Sequence, residues 1–216
     1  MKVDYSVDTY IIASVIISFL GFCLENIWIC IRKGYIDNRN MTLPFLLGYS
    51  FALLGIYFVL GTPGHPSSIV EKILPQFDYL SYYITSFLVV SIGEIILGET
   101  VERICGIYYW DYSSLPLHIT RYTSVFTSIG FSFIITKFMD LFFVPMMEFA
   151  SRLTLYPVIS IFRLTYILMI LDLFTSFYRM YKTRSLNERW EKWFEQVQNN
   201  TKARERIMFP GLIDLL

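Results

Sequence analysis

Apolar residues gather into five long runs separated by polar stretches, approximately Tyr10 to Ile31, Leu43 to Gly61, Leu80 to Leu97, Thr123 to Met147 and Leu155 to Tyr178. At a helical rise of about 1.5 Å per residue, each is long enough to cross a hydrocarbon core of about 30 Å. The pattern therefore predicts an all-α, polytopic membrane bundle of about five transmembrane helices over residues 1–181, followed by a cytoplasmic amphipathic tail over 182–216. In the tail, Ser185 to Gln198 mixes Trp190, Trp193, Phe194 and Val197 with Arg189, Glu191, Lys192 and Glu195, a composition suited to an interfacial helix in the headgroup region. Pro63, Gly64, Pro66 and Pro75 mark the stretch 62–79 as a loop.

Composition places the chain in the same class. Hydrophobic residues make up 55% of the 216, and 18 Lys and Arg balance 18 Asp and Glu, so there is no basic excess to point to nucleic acid. The basic residues matter by location. Arg32, Lys33, Arg39, Arg103, Arg121 and eight more from Arg179 onward fall on one side of the predicted spans, against Lys2, Lys72 and Arg152 on the other. A bias of that size predicts a multipass protein of the cell membrane with its N-terminus outside and its tail in the cytoplasm. The start of the chain reads as a retained first span. Cys23 and Cys30 stand two helical turns apart, too far to bridge, and are read with Cys105 as free thiols.

Charges inside the runs are the candidates for function, because a carboxylate near the bilayer centre costs roughly 2.5–3.5 kcal/mol on insertion scales and usually faces protein. Glu25 ends a Gly-x-x-x-Glu that begins at Gly21, on the face carrying Ser14 and Ser18, and a second Gly-x-x-x-Glu runs from Gly98 to Glu102. Counted along their helices, Glu25, Glu94 and Asp172 all lie roughly 21 to 26 Å from the outer ends. That common depth predicts an acidic chamber open to the cytoplasm in which Glu25 faces Glu94, with Asp172, Glu102 and Arg39 belonging to it and Arg103, His118 and Arg121 at its mouth. Asp140 and Arg163, at roughly 11 and 12 Å on adjacent helices, are expected to form a structural ion pair, with Lys137 as a competing partner for Asp140. Glu148 and Arg152 are spaced for an i,i+4 pair at the outer interface.

Two polar segments are dense in unusual residues. The first runs from Asp37 through Asn38, Arg39 and Asn40 to Pro44, which can open the second helix. The second runs from Glu102 to Tyr122, with Gly106 as a helix stop and Trp110, Asp111, Tyr112 and Ser113 as an aromatic turn. The Gly-x-x-x-Glu that ends the first helix, the Asn38-Arg39 loop, and above all the stretch from Glu94 through Trp110-Asp111-Tyr112-Ser113-x-Leu115-Pro116-x-His118 resemble the putative ABC-transporter type IV family of small multipass proteins, over roughly residues 15 to 145. The first loop departs from that pattern, with Arg39-Asn40 and Pro44-x-x-x-Gly48-Tyr49 where the family carries Arg-Gly and a Gly-Pro-rich run. The resemblance implies transport.

The chain has no Gly-x-x-x-x-Gly-Lys-[Ser/Thr], so ATP hydrolysis by a P-loop would belong to a separate subunit. His65 and His118 fall on opposite predicted sides, and no His-Glu-x-x-His, Cys-x-x-Cys or Gly-x-Ser-x-Gly occurs, so neither a metal nor another cofactor is expected. The reading that follows is a transporter or permease whose inner acidic chamber handles a cation, proton or polar solute, embedded in lipid and working with an ATPase, with other membrane subunits or as a homo-oligomer. Two alternatives come from other classes. One is a membrane-embedded enzyme acting on a lipid or lipid-linked substrate, with Glu25, Glu94 or Glu102 as acid/base and Arg39, Arg121 and His118 gripping an anionic headgroup. The other is a noncatalytic assembly or regulatory subunit that docks through the aromatic loop and tail.

Overall fold

The computed structural model describes residues 5–33, 36–72 and 78–186. The tail helix expected over 185–198 lies almost wholly outside them. In chain order the described elements are α1 (Val7–Lys33), α2 (Leu47–Leu60), β1 (Gly61–Thr62), β2 (His65–Pro66), α3 (Ser68–Glu71), α4 (Asp78–Cys105), β3 (His118–Thr120), β4 (Thr123–Ser124), α5 (Val125–Phe138), a π-helical turn (Met139–Phe143), α6 (Val144–Arg152) and α7 (Tyr156–Thr183).

Four of the five expected spans are long and apolar enough to cross a membrane: Val7–Ile31, Tyr79–Cys105, Val125–Arg152 and Tyr156–Thr183. The second is shorter than the apolar run that predicts it. α2 has 14 residues, or about 21 Å of helix. Its first turn is lost because residues 42–46 run across to α7, where Asp172 accepts the backbone N–H groups of Thr42 and Leu43; Pro44 therefore sits ahead of the helix and does not start it. At the other end Gly61, with φ of 77°, stops α2 in a conformation where a Cβ would lie 2.4 Å from the His65 carbonyl oxygen, so only glycine closes the β1–β2 turn.

Two helical hairpins, α1–α2 and α4–α5, form the body, and α1 also packs on α6 and α7. The main core gathers at one end, where Ala13 and Ile17 of α1, Ile56, Tyr57 and Leu60 of α2, Val70 of α3, Tyr82 of α4 and Met139, Phe143 and Met147 meet. Tyr57 and Phe143 lie ring to ring at 4.6 Å. At the opposite end a smaller cluster of Val101, Cys105, Ile107 and Met180 ties α4 to α7. Much of the outer surface of α7 is apolar and exposed, Ile161, Leu164, Leu171, Phe174 and Tyr178 among it, as a helix in contact with lipid allows. Cys23, Cys30 and Cys105 are free thiols.

Candidate functional site

The two Gly-x-x-x-Glu sequences build the same device twice. Residues i and i+4 share a helix face, so a glycine one turn before a glutamate leaves a slot in which a ring can lie with its hydroxyl on the carboxylate. In α1 the slot over Gly21 holds Tyr49, whose hydroxyl donates to Glu25 at 2.5 Å. In α4 the slot over Gly98 holds Tyr122, whose hydroxyl donates to Glu102. A Cβ on Gly21 would lie 2.5 Å from the Tyr49 ring, and one on Gly98 would lie 2.3 Å from the Tyr122 ring. Neither tyrosine is marked by its own neighbours in the sequence. The signal that points to both is the repeat itself, a Gly-x-x-x-Glu helix end followed by a polar loop and a tyrosine at the start of the returning helix.

The two copies differ in how the charge is balanced. Arg39 donates from Nε to Glu25 at 3.0 Å and again from its terminal nitrogen, and it also reaches Asp37 at 3.4 Å. Burial draws the Arg39 guanidinium down, but Glu25 and Asp37 outweigh it and hold the group above its ordinary pKa. The loop that carries Arg39 turns through two left-handed residues, Arg39 and Asn40, with φ of 50° and 68°. It is fastened by Asp37 N–H to the Asn26 side chain at 2.9 Å and by the Tyr109 hydroxyl to the Arg39 carbonyl at 2.5 Å. Glu25 is thus a compensated carboxylate on α1, and the loop that supplies its arginine is tied down.

Along α4 neither Glu94 nor Glu102 is clamped in this way, although Arg121 is near enough for Glu102 to act on its charge. Among the described residues no Lys or Arg forms an ion pair with Glu94 or Glu102. Glu94, half-buried within a spanning helix, receives the Thr123 hydroxyl at 2.8 Å, and Thr123 and Ser128 hydroxyls stand 3.0 Å apart. From there a row of hydroxyls continues along the α4–α5 seam. Ser128, Ser132 and Thr136, one turn apart on α5, are all buried, Ser132 donates to the Ser128 carbonyl, and Thr136 lies 3.4 Å from Ser86 of α4.

The remaining candidates separate. Asp172 caps the Thr42 and Leu43 amides, with Ser176 at 3.4 Å from it, so Glu25 and Asp172 both take partners from the loop between α1 and α2, while Glu94 takes its partner from Thr123. Trp110 donates from Nε1 to the Tyr122 carbonyl at 2.9 Å. Asp111 accepts Ser113 N–H at 2.8 Å, which closes the expected aromatic turn, and these Ser113 bonds hold its carboxyl below the ordinary range. Tyr112 N–H donates to the Arg121 carbonyl at 2.7 Å. Arg121 faces Asp111 at 3.5 Å and lies 3.9 Å over the Tyr108 ring. His118, exposed, has Nδ1 at 3.1 Å from the Leu115 carbonyl. Gly106 ends α4 with φ of 67°.

The expected Asp140–Arg163 pair is not formed. Arg163 makes a two-bond fork to Asp8 of α1, at 2.7 and 2.8 Å, while Asp140 lies in the π-helical turn against Tyr79 of α4. Lys137, its proposed competitor, stands 5.7 Å over the same Tyr79 ring. Matching depth does not fix which way a side chain points, and a turn with i→i+5 bonding shifts the helix face one residue relative to an α-helical count. The Glu148–Arg152 pair is present at 3.4 Å. No group of three or more metal-ligating side chains occurs among the described residues.

A family model described as Putative ABC-transporter type IV matches residues 12–177. That range contains the first hairpin from its second turn on, the whole second hairpin, both tyrosine slots and most of α7. No curated protein and no solved structure matches the chain.

Proposed function

The chain belongs to the Putative ABC-transporter type IV family, and from that premise we propose that this multipass, transporter-like membrane protein handles a proton or small cation at Glu94, along the hydroxyl row between α4 and α5. The observation that carries the reading is a carboxylate inside a spanning helix whose partners among the described residues are hydroxyls. Hydroxyls can donate to the ionised form, accept from the protonated form and offer oxygen to a cation, so they permit a change of charge that an arginine would prevent. Glu25, locked by Arg39, lacks that freedom and serves structure. The row from Ser128 to Thr136 supplies polar groups toward the far side of the membrane, which a lipid-modifying enzyme or a docking subunit would not require.

We place the N-terminus outside and the loop between α4 and α5, with the tail, in the cytoplasm, on the distribution of Lys and Arg. Labelling of a cysteine at Ser113 by an impermeant reagent added outside inverted vesicles, but not outside intact cells, supports this orientation; the reverse pattern refutes it. An ATP-hydrolysing subunit, other membrane subunits or a second copy of the chain remain partners of this proposal. The functional test is flux of H⁺, Na⁺ and K⁺ into proteoliposomes holding the purified chain, compared with Glu94→Gln. Flux lost in the variant supports the reading, and flux unchanged by it removes Glu94 from the path.

A further inference from the structure

We propose that Tyr122 is a plug that closes the Glu94 site on the side of the loop between α4 and α5, and that Glu102 holds the plug shut. The inference rests on the reading of Glu94 as the functional carboxylate and assigns its access control. Glu94, Gly98 and Glu102 follow one another at four-residue steps on one face of α4, so Gly98 lies about 6 Å and Glu102 about 12 Å from Glu94 along the axis toward the loop. The Tyr122 ring fills that interval. It lies in the Gly98 slot, its hydroxyl reaches Glu102, and the next residue in the chain, Thr123, donates to Glu94. The residue is 4% exposed, and its ring covers the face of α4 by which a solute from the loop side would approach Glu94.

The surroundings fit a part that swings. Tyr122 is held on its backbone, where Trp110 Nε1–H donates to its carbonyl and its own N–H donates to Thr120 Oγ1 at 3.1 Å. Its side chain is fastened by one hydrogen bond at the tip and by ring contacts, including Trp110 edge-on at 6.1 Å and 79°. Rotation about the Cα–Cβ bond would lift the ring off Gly98 while Thr123 stays on Glu94. Asp111 and Ser113, in the same loop as Trp110, brace the turn from which Trp110 projects. The most unusual stretch of the sequence thereby gains a role as the hinge frame of the plug. The corresponding Tyr49 lacks this freedom, because its carboxylate is also clamped by Arg39.

The test reads access without requiring transport. A cysteine is placed at Ser128 in a chain whose Cys23, Cys30 and Cys105 have been replaced, and the protein in nanodiscs is exposed on both faces to a methanethiosulfonate carrying a quaternary ammonium. Tyr122→Phe keeps the ring and removes the latch, and Tyr122→Ala removes the plug. The expected result is labelling severalfold faster in Tyr122→Phe than in the parent and faster again in Tyr122→Ala, while a cysteine at Met147 in the distant core stays protected. Equal labelling rates in the parent and Tyr122→Phe, a variant that keeps the packing, overturn the proposal even if Tyr122→Ala fails to fold. Proton flux is followed on the same samples: faster labelling without flux in any of them retains the plug and removes the transport reading, whereas flux with unchanged labelling does the opposite.

Discussion

Tyr122 donates its hydroxyl to Glu102 while Thr123, its neighbour in the chain, donates to Glu94 two turns away on the same helix. The last residue of the β3–β4 turn and the first of β4 thus engage two carboxylates of α4. Burial, and after it the Glu102 carboxylate, push the Tyr122 phenol above its ordinary pKa, so the hydroxyl stays a donor across the physiological range. The same contact made by Tyr49 on Glu25 is backed by an arginine. The fold uses one slot design twice, with an arginine on the carboxylate in the first hairpin and no ion-pair partner on it among the described residues in the second.

The slots themselves predict a sharp glycine requirement. Gly21→Ala and Gly98→Ala should each destabilise the protein by about 1–3 kcal/mol, the usual cost of overpacking, because the added methyl meets a ring and not open space. Gly93→Ala and Gly130→Ala, where nothing lies within 4 Å of the new carbon, should be neutral or stabilising by up to about 1 kcal/mol as helix propensity improves. Thermal unfolding of the four variants in one detergent separates the two classes.

The Glu25–Arg39 pair should show strong coupling. Its side chains are 13% and 24% exposed, so neither charge has ready access to water. Arg39→Met strands Glu25 and should cost about 3–5 kcal/mol, whereas the double variant with Glu25→Gln should recover much of that loss. Additive effects in a double-mutant cycle would show that the pair contributes nothing of its own.

Asp172 acts as a cap between distant segments. Asp172→Ala removes both acceptor oxygens and leaves the Thr42 and Leu43 amides without this partner, at a cost of about 1–3 kcal/mol. Hydrogen exchange at those two amides should accelerate more than exchange in the body of α7. Unchanged protection at both would place the 42–46 stretch under other control.

How much of this was open to a reader of the sequence depends on whether a feature is local. The spans, the Gly106 stop, the Asp111–Ser113 turn and the special status of Glu25, Glu94 and Glu102 follow from apolar run lengths, glycine geometry and the cost of charge in lipid. The length of α2 does not, because its first turn is lost to a carboxylate about 130 residues further along. The partner of Arg163 was likewise hidden. A depth count places Asp140 and Arg163 level but carries no azimuth, and the π-helical turn re-aims Asp140 toward Tyr79 while Asp8 takes the guanidinium. The tyrosines were missed because a slot is defined by what is absent from glycine, and its occupant can come from any returning segment.

The Asp8–Arg163 fork gives a direct check on that correction. Exchanging the two residues, Asp8→Arg with Arg163→Asp, should restore thermal stability lost in either single variant, and Asp140→Asn should be additive with Arg163→Met. Coupling found between Asp140 and Arg163 instead would favour the depth-based pairing.

The central claim is that the uncompensated carboxylate of α4 carries function and the compensated one of α1 carries structure. It is tested most directly by measuring H⁺, Na⁺ and K⁺ flux in proteoliposomes for the parent, Glu94→Gln and Glu25→Gln, each reconstituted at equal density after its folding has been verified. The account predicts flux in the parent, none in Glu94→Gln at unchanged thermal stability, and residual flux in a less stable Glu25→Gln. Full flux in Glu94→Gln, or its loss only in Glu25→Gln, would contradict it.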